Sequence, residues 1–202
     1  MVANGHLEKG EKPVHWCMDC RSALAEAEVE YQDKTSHSID VKFLVLPEYL
    51  KEVCTAFGVS SLPEISVVIW TTTPWTIPSN VAVCINENFN YVLVDTQQGY
   101  LVIAEGLVDE CSIRWDMELK ILGTVLGKNL GNISLKHPLY ERQSKVLLGE
   151  HVTTENGTGC VHTAPAHGLD DYFICIQYQL ESIKALDNRG IFKEDYGELA
   201  GL

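Results

Sequence analysis

Two segments of the chain concentrate side chains able to do polar chemistry. The first runs Trp70, Thr71, Thr72, Thr73, Pro74, Trp75, Thr76, Ile77, Pro78, Ser79, Asn80, with four threonine hydroxyls and a carboxamide in eleven positions. Neutral donors and acceptors at this density can orient a water molecule and a ribose, and Pro74 and Pro78 deny the segment a regular hydrogen-bonded ladder. The purely structural alternative is a strand end whose hydroxyls satisfy local backbone groups. The second segment runs from Gly157, Thr158, Gly159, Cys160, Val161 and His162 through Thr163, Ala164, Pro165, Ala166, His167, Gly168 and Leu169 to Asp170, Asp171 and Tyr172. Glycines flank a short apolar run, and a loop with two histidines ends where a helix should start. One aspartate there can cap the helix and complement its dipole, each effect worth ~0.5–2 kcal/mol. The other is then free for a cation.

Other chemistries fail on spacing. His162 and His167 lie five positions apart with Pro165 between them, so they cannot share a helical face as in a zincin, and no glutamate follows the first. Gly157 and Gly159 lack the third glycine and the following helix of a dinucleotide fingerprint. Cys17, Met18, Asp19, Cys20 is a Cys-x-x-Cys knuckle, half of a four-ligand zinc site, with no second pair at that spacing. Zinc there needs ligands from outside these residues, so no metal or other cofactor is expected. The remaining cysteines, Cys54, Cys84, Cys111, Cys160 and Cys175, stand singly in apolar runs and read as small core residues.

A scaffold has to hold these segments. The 202 residues, 46% hydrophobic, suffice for a single core that buries about 70% of the unfolded surface. Seven cysteines, an odd number, and an N-terminus without a charged-then-apolar pattern point to a reduced cytosolic or organelle-matrix setting. The apolar runs fall far short of the roughly 18 residues of a membrane span, so no membrane partner is expected. Fifteen Lys plus Arg against 28 Asp plus Glu leave a net charge of −13, which excludes a grip on nucleic acid by bulk electrostatics.

The alternation of Ala25, Ala27, Val29 and Tyr31 with glutamates predicts a strand. A better one covers Ser38 to Leu46. Pro47 then opens a helix bearing Tyr49, Leu50, Val53, Cys54 and Phe57, with Gly58 just past its end. Short apolar runs follow at Ile65–Trp70, Val81–Ile85, Tyr91–Val94, Tyr100–Ala104, Ile121–Leu126, Val146–Leu148 and Cys160–Thr163. Their spacing of roughly 8 to 12 residues suggests a closed barrel or a sandwich. A second helix starts at Asp170 or Asp171 and carries Tyr172, Phe173, Ile176 and Leu180.

Taken together, Trp70 to Asn80 and Gly157 to Tyr172 resemble the two signature segments of the editing domain, or connective peptide, of class I isoleucyl-tRNA synthetases. Cys17 to Tyr31 is similar to the stretch that leads into the same insertion. His162 favours the isoleucine enzyme, because the leucine and valine enzymes usually carry Met or Lys there. Ala166 departs from the family, in which many bacterial members have Gly. The resemblance implies a mainly β fold, a closed β-barrel with a few peripheral α-helices. Residues 1–202 would then be one editing domain of a larger synthetase, and residues 1–20 a linker-proximal segment with the Cys17/Cys20 half-site. It implies hydrolysis of the ester that joins valine to isoleucine tRNA, with valyl-adenylate as an open second substrate. The implied partners are the 3′ end of that tRNA and the remainder of the synthetase; the implied state is a cytoplasmic monomer, or a mitochondrial one in a eukaryote. The ATP-handling signatures His-Ile-Gly-His and Lys-Met-Ser-Lys-Ser are absent, so ATP belongs to the parent enzyme. By position, Asp171, Thr72 and Thr73 are the candidate catalytic residues, Asp171 holding the α-ammonium. His162, Thr71, Thr76, Asn80 and Trp75 are the candidate substrate-binding residues, His162 as the wall that isoleucine's extra methyl would strike. Alternatives left open are a valyl- or leucyl-enzyme editing domain, a metal-dependent hydrolase using both histidines, and a noncatalytic tRNA-docking module.

Overall fold

A computed structural model describes residues 2–4, 6 and 10–202. Residues 1, 5 and 7–9, part of the expected linker-proximal segment, lie outside the described residues. A small hairpin, β1 (Trp16–Cys17) and β2 (Ser22–Ala23), brackets Cys17 and Cys20. The expected strand over Ala25–Tyr31 does not form. Glu26–Glu28 makes a 3₁₀ turn instead, closed by Glu28 Oε2 accepting the Ala25 N–H at 2.7 Å. Tyr31 is 79% exposed; alternation without a neighbouring strand or a surface to cover gives an extended segment nothing to pair with.

The chain continues with β3 (Ile39–Val45), α1 (Pro47–Ala56), β4 (Ser66–Thr71), β5 (Ala82–Ile85), β6 (Asn90–Thr96), β7 (Gly99–Ala104), α2 (Val108–Trp115), β8 (Lys120–Leu126), β9 (Ser134–Lys136), β10 (Gln143–Leu148), β11 (Cys160–Thr163) and α3 (Leu169–Gln177), of which α2 and β9 are not expected from the sequence and α3 stops short of the expected Leu180. Pro47 is the first residue of α1, where its missing N–H costs nothing, and Gly58 beyond the helix has φ +68°. Among the described residues, β3 to β11 form one nine-stranded sheet in the order β11-β5-β10-β9-β3-β4-β7-β6-β8. The pairs β10/β5 and β4/β7 are parallel and the others antiparallel.

The expected closed barrel is corrected here, because β11 and β8 end the ladder unpaired with each other. The sheet curls over without closing. The loop before β11 reaches the far strands through single bonds: Ala104 N–H to Thr158 O at 2.8 Å, and Tyr91 O–H to Gly159 O at 2.7 Å. Gly159 has φ +72°, and a Cβ on it would lie 2.3 Å from Ala104 Cβ, so only glycine allows the approach. At the other end, Gly123 of β8 lies under Phe57, whose carbonyl oxygen would be 2.1 Å from an added Cβ.

Inside the curl lies the main core, including Phe43, Ile69, Tyr91, Leu93, Ile103 and Leu135. A second cluster, Ala82, Cys84, Leu147, Val152, Ile174 and Cys175, seats α3 against β5 and β10. Burying each large aliphatic side chain contributes ~1.5–3 kcal/mol, and together these contacts fix the end of β11 against α3. No helix among the described residues is long and apolar enough to cross a membrane.

Candidate active site

Thr71 ends β4, and the chain leaves the sheet because Pro74 cannot continue a ladder. It becomes the first residue of a 3₁₀ turn, Pro74–Ser79. Local backbone satisfaction is present, as the structural alternative requires: Thr73 N–H donates to Thr71 Oγ1 at 2.6 Å, and Thr76 Oγ1 donates to Thr73 O at 2.9 Å. Thr73 and Thr76 hydroxyls are 3.2 Å apart, those of Thr71 and Thr73 3.5 Å.

Contacts across the fold go further. β11 runs antiparallel to β5 with His162 opposite Val83, and its imidazole enters the turn. Nε2 is 2.9 Å from Thr76 Oγ1 and Nδ1 is 2.8 Å from Asn80 Nδ2. Asn80, itself buried, also donates to Ala82 O at 2.6 Å and accepts from the Ser144 hydroxyl of β10. With an amide donor on Nδ1, the ring is neutral and carries its proton on Nε2. Burial first, and then the nearby His167 and His137, push its pKa down to about 4.

α3 is not capped by an aspartate side chain. Gly168 occupies the cap position and Asp170 is exposed. Asp171 instead turns back and accepts the Ala164 N–H at 2.8 Å, two residues beyond His162. Gly168 permits this, since a Cβ there would sit 3.0 Å from Asp171 Oδ2. Burial raises the Asp171 pKa, opposed by the Ala164 N–H and the charge of His151 and reinforced by Asp170. His167 Nε2 meets Ser79 Oγ at 3.1 Å, a further link between the two segments.

Thr71, Thr73, Thr76, Asn80 and His162 therefore form one network, with Asp171 attached to the same strand end. Thr72 and Trp75 lie on the exposed side, Trp75 being 52% accessible. Sequence reasoning missed the support beneath. Arg142 Nη2 donates to Pro78 O and, at 3.2 Å, to Asn80 O, with its guanidinium 5.0 Å from the Tyr140 ring centroid. His137 Nδ1 accepts the Leu139 and Tyr140 N–H groups, so its Nε2–H donates to Ile77 O at 3.0 Å. Burial and the Arg142 charge push His137 down to about 4. The only signal was the run His137, Pro138, Leu139, Tyr140, Glu141, Arg142 ahead of a strand, and nothing in it names a partner 60 residues away. In the β1–β2 hairpin, Cys17 Sγ accepts the Cys20 N–H at 3.2 Å. Among the described residues no group of three or more His, Cys, Asp or Glu is placed to hold a metal ion.

Residues 1–188 match the model of the tRNA synthetases class I (I, L, M and V) family. This chain belongs to that family. It is 51% identical over 210 residues to an isoleucine–tRNA ligase of Pseudoalteromonas atlantica and 48% identical over 204 residues to one of Dichelobacter nodosus, each covering all of this chain. The chain spans 22% of the length of either relative. Its fold is that of synthetase editing domains: the editing domain of the P. knowlesi cytosolic leucyl-tRNA synthetase superposes with a TM-score of 0.58 at 15% identity, over 80% of this chain and 77% of that one.

Proposed function

We propose that the chain is the editing unit of an isoleucine–tRNA ligase and hydrolyses the ester joining valine to the terminal adenosine of isoleucine tRNA. A pocket that binds isoleucine gains only ~1–3 kcal/mol over valine from the extra methylene, and isoleucine–tRNA ligases are themselves the standard example of this shortfall. A second pocket that admits valine and excludes isoleucine multiplies the discrimination.

The observation that carries the reading is the pairing of a neutral hydroxyl, amide and imidazole network with one half-buried carboxylate at the same strand end. Asp171 is suited to the substrate's α-ammonium, and Thr71, Thr72, Thr73, Thr76, Asn80 and Trp75 to the ribose and water side. His162 has both ring nitrogens engaged, so its suited role is steric, as the wall against the larger side chain, and no proton transfer is assigned to it. Aminoacyl esters are already labile, and positioned water with fixed hydrogen-bond partners supplies rate without a covalent nucleophile or metal. Synthesis with ATP, and most of the hold on tRNA, belong to the rest of a longer cytoplasmic enzyme.

The test is incubation of the chain with isoleucine tRNA charged with valine or with isoleucine. Selective loss of the valyl ester is expected. Binding of tRNA with neither ester hydrolysed would make the chain a docking module and overturn the proposal.

A further inference from the structure

Hydrogen positions in the buried network follow one after another from valence. Ala82 O can only accept, so the Asn80 atom 2.6 Å from it is the amide nitrogen, and Oδ1 faces the Ser144 hydroxyl, which donates to it. The second Nδ2 hydrogen goes to His162 Nδ1 at 2.8 Å, which leaves the ring proton on Nε2 for Thr76 Oγ1 at 2.9 Å. Thr76 has one hydrogen, and Thr73 O, 2.9 Å away, takes it. Thr76 Oγ1 then accepts the Thr73 hydroxyl hydrogen over 3.2 Å and is saturated, one hydrogen given and two accepted. Thr71 Oγ1, 3.5 Å away, reaches at most one lone pair of Thr73 Oγ1. The other lone pair has no assigned donor, and Thr73, unlike the buried Ser144 and Asn80, stands at the edge of the buried region.

We propose that Ser144 is a positioning residue of the hydrolytic site: by anchoring Oδ1 of the Asn80 amide, in the orientation that Ala82 O selects, it keeps Nδ2 on His162 and so a single proton order, Ser144 to Asn80 to His162 to Thr76 to the Thr73 carbonyl, and presents Thr73 Oγ1 as acceptor for the attacking water. This rests on the ester-hydrolase reading above. Ser144 is fully buried on β10, paired in register with Leu135 of β9, and reaches the substrate side only through Asn80. Without its hydrogen, Asn80 Oδ1 keeps no donor and the amide is held only by Ala82 O. An amide anchored on one side only swings Nδ2 away from His162 Nδ1, which lets the ring proton move there and turns Thr76 away from the Thr73 carbonyl toward the bare Nε2, loosening the turn.

The decisive measurement is the ¹⁵N spectrum of histidine-labelled chain at neutral pH, combined with valyl-tRNA deacylation kinetics. In the unsubstituted chain His162 should be the neutral Nε2–H tautomer. Ser144→Ala should give mixed tautomers and a kcat lower by about five- to tenfold at unchanged KM, in line with one lost hydrogen bond. Ser144→Thr, which restores the hydroxyl, should recover both. Asn80→Asp, which offers His162 only an acceptor, should move the proton to Nδ1 and serves where Ser144→Ala does not fold. An Nδ1–H tautomer in the unsubstituted chain, or a Ser144→Ala variant with unaltered tautomer and kcat, would overturn the proposal. The expected tautomer without hydrolysis of any ester would instead overturn the ester-hydrolase reading and the role given to Thr73, and leave the proton order standing.

Discussion

At the scale of single residues, His162 and Asp171 differ in charge and therefore in the roles proposed for them. His162 is a neutral strut between Thr76 and Asn80. His162→Ala removes the proposed wall and leaves both partners with an unmet bond, an expected cost of about 1–3 kcal/mol in stability. Valyl-tRNA hydrolysis should continue at a reduced rate while isoleucyl-tRNA hydrolysis appears, so the ratio of the two kcat/KM values collapses; a preserved ratio would place the excluding wall elsewhere in the turn. Asp171 combines a backbone bond with a charge, and Asp171→Asn separates them, because an amide oxygen still accepts the Ala164 N–H. Deacylation should fall by at least tenfold, the order expected from losing a charged hydrogen-bond partner, with little change in melting temperature. Unchanged turnover in the Asn variant would show that the carboxylate does not hold the ammonium.

The elements explain why a proline-broken turn keeps one shape. Three of its backbone carbonyls, Ile77, Pro78 and Asn80, point at His137 and Arg142 beyond β9, and β11 brings His162 in from the other side. Both histidines are held neutral, with pKa values pushed to about 4 from the ordinary 6.5. The sign follows: between these values the unfolded chain binds protons that the folded chain refuses, so stability is full above 6.5 and is lost as pH falls toward 4. Chemical denaturation across that window should show the decline, and His137→Gln should flatten it. A stability profile level from pH 7 to 4 would mean that these rings titrate normally.

For the whole molecule, the net charge of −13 sets the terms of association. Phosphate contacts need cations, and the acidic surface repels an RNA backbone. The isolated chain should bind tRNA with a dissociation constant above about 1 μM at physiological salt, and deacylation should require high protein concentration. Filter binding over a salt series checks this, and submicromolar affinity would show a basic surface hidden by the net count. The chain spans 22% of its relatives' length, and the grip on tRNA is proposed to lie in the remainder.

The amino-acid sequence determined, by itself, where most strands lie, because apolar runs between turn residues report which segments are buried. It also singled out the two candidate segments, since a hydroxyl-rich turn and a glycine-flanked strand have few local explanations. Periodicity does not report which strand comes next, so the open order of the sheet and the loss of the Ala25–Tyr31 strand were decided only in three dimensions. α2 escaped notice because it is only eight residues long and its inward stripe, Val108, Cys111 and Trp115, is interrupted by charged residues and buries fully only Cys111. The same limit hid the site's proton order. His162 and Thr76 are 86 residues apart and Ser144 and Asn80 are 64 apart. Donor and acceptor roles exist only between atoms already brought together, and packing of β5 between β10 and β11 is what brings them there.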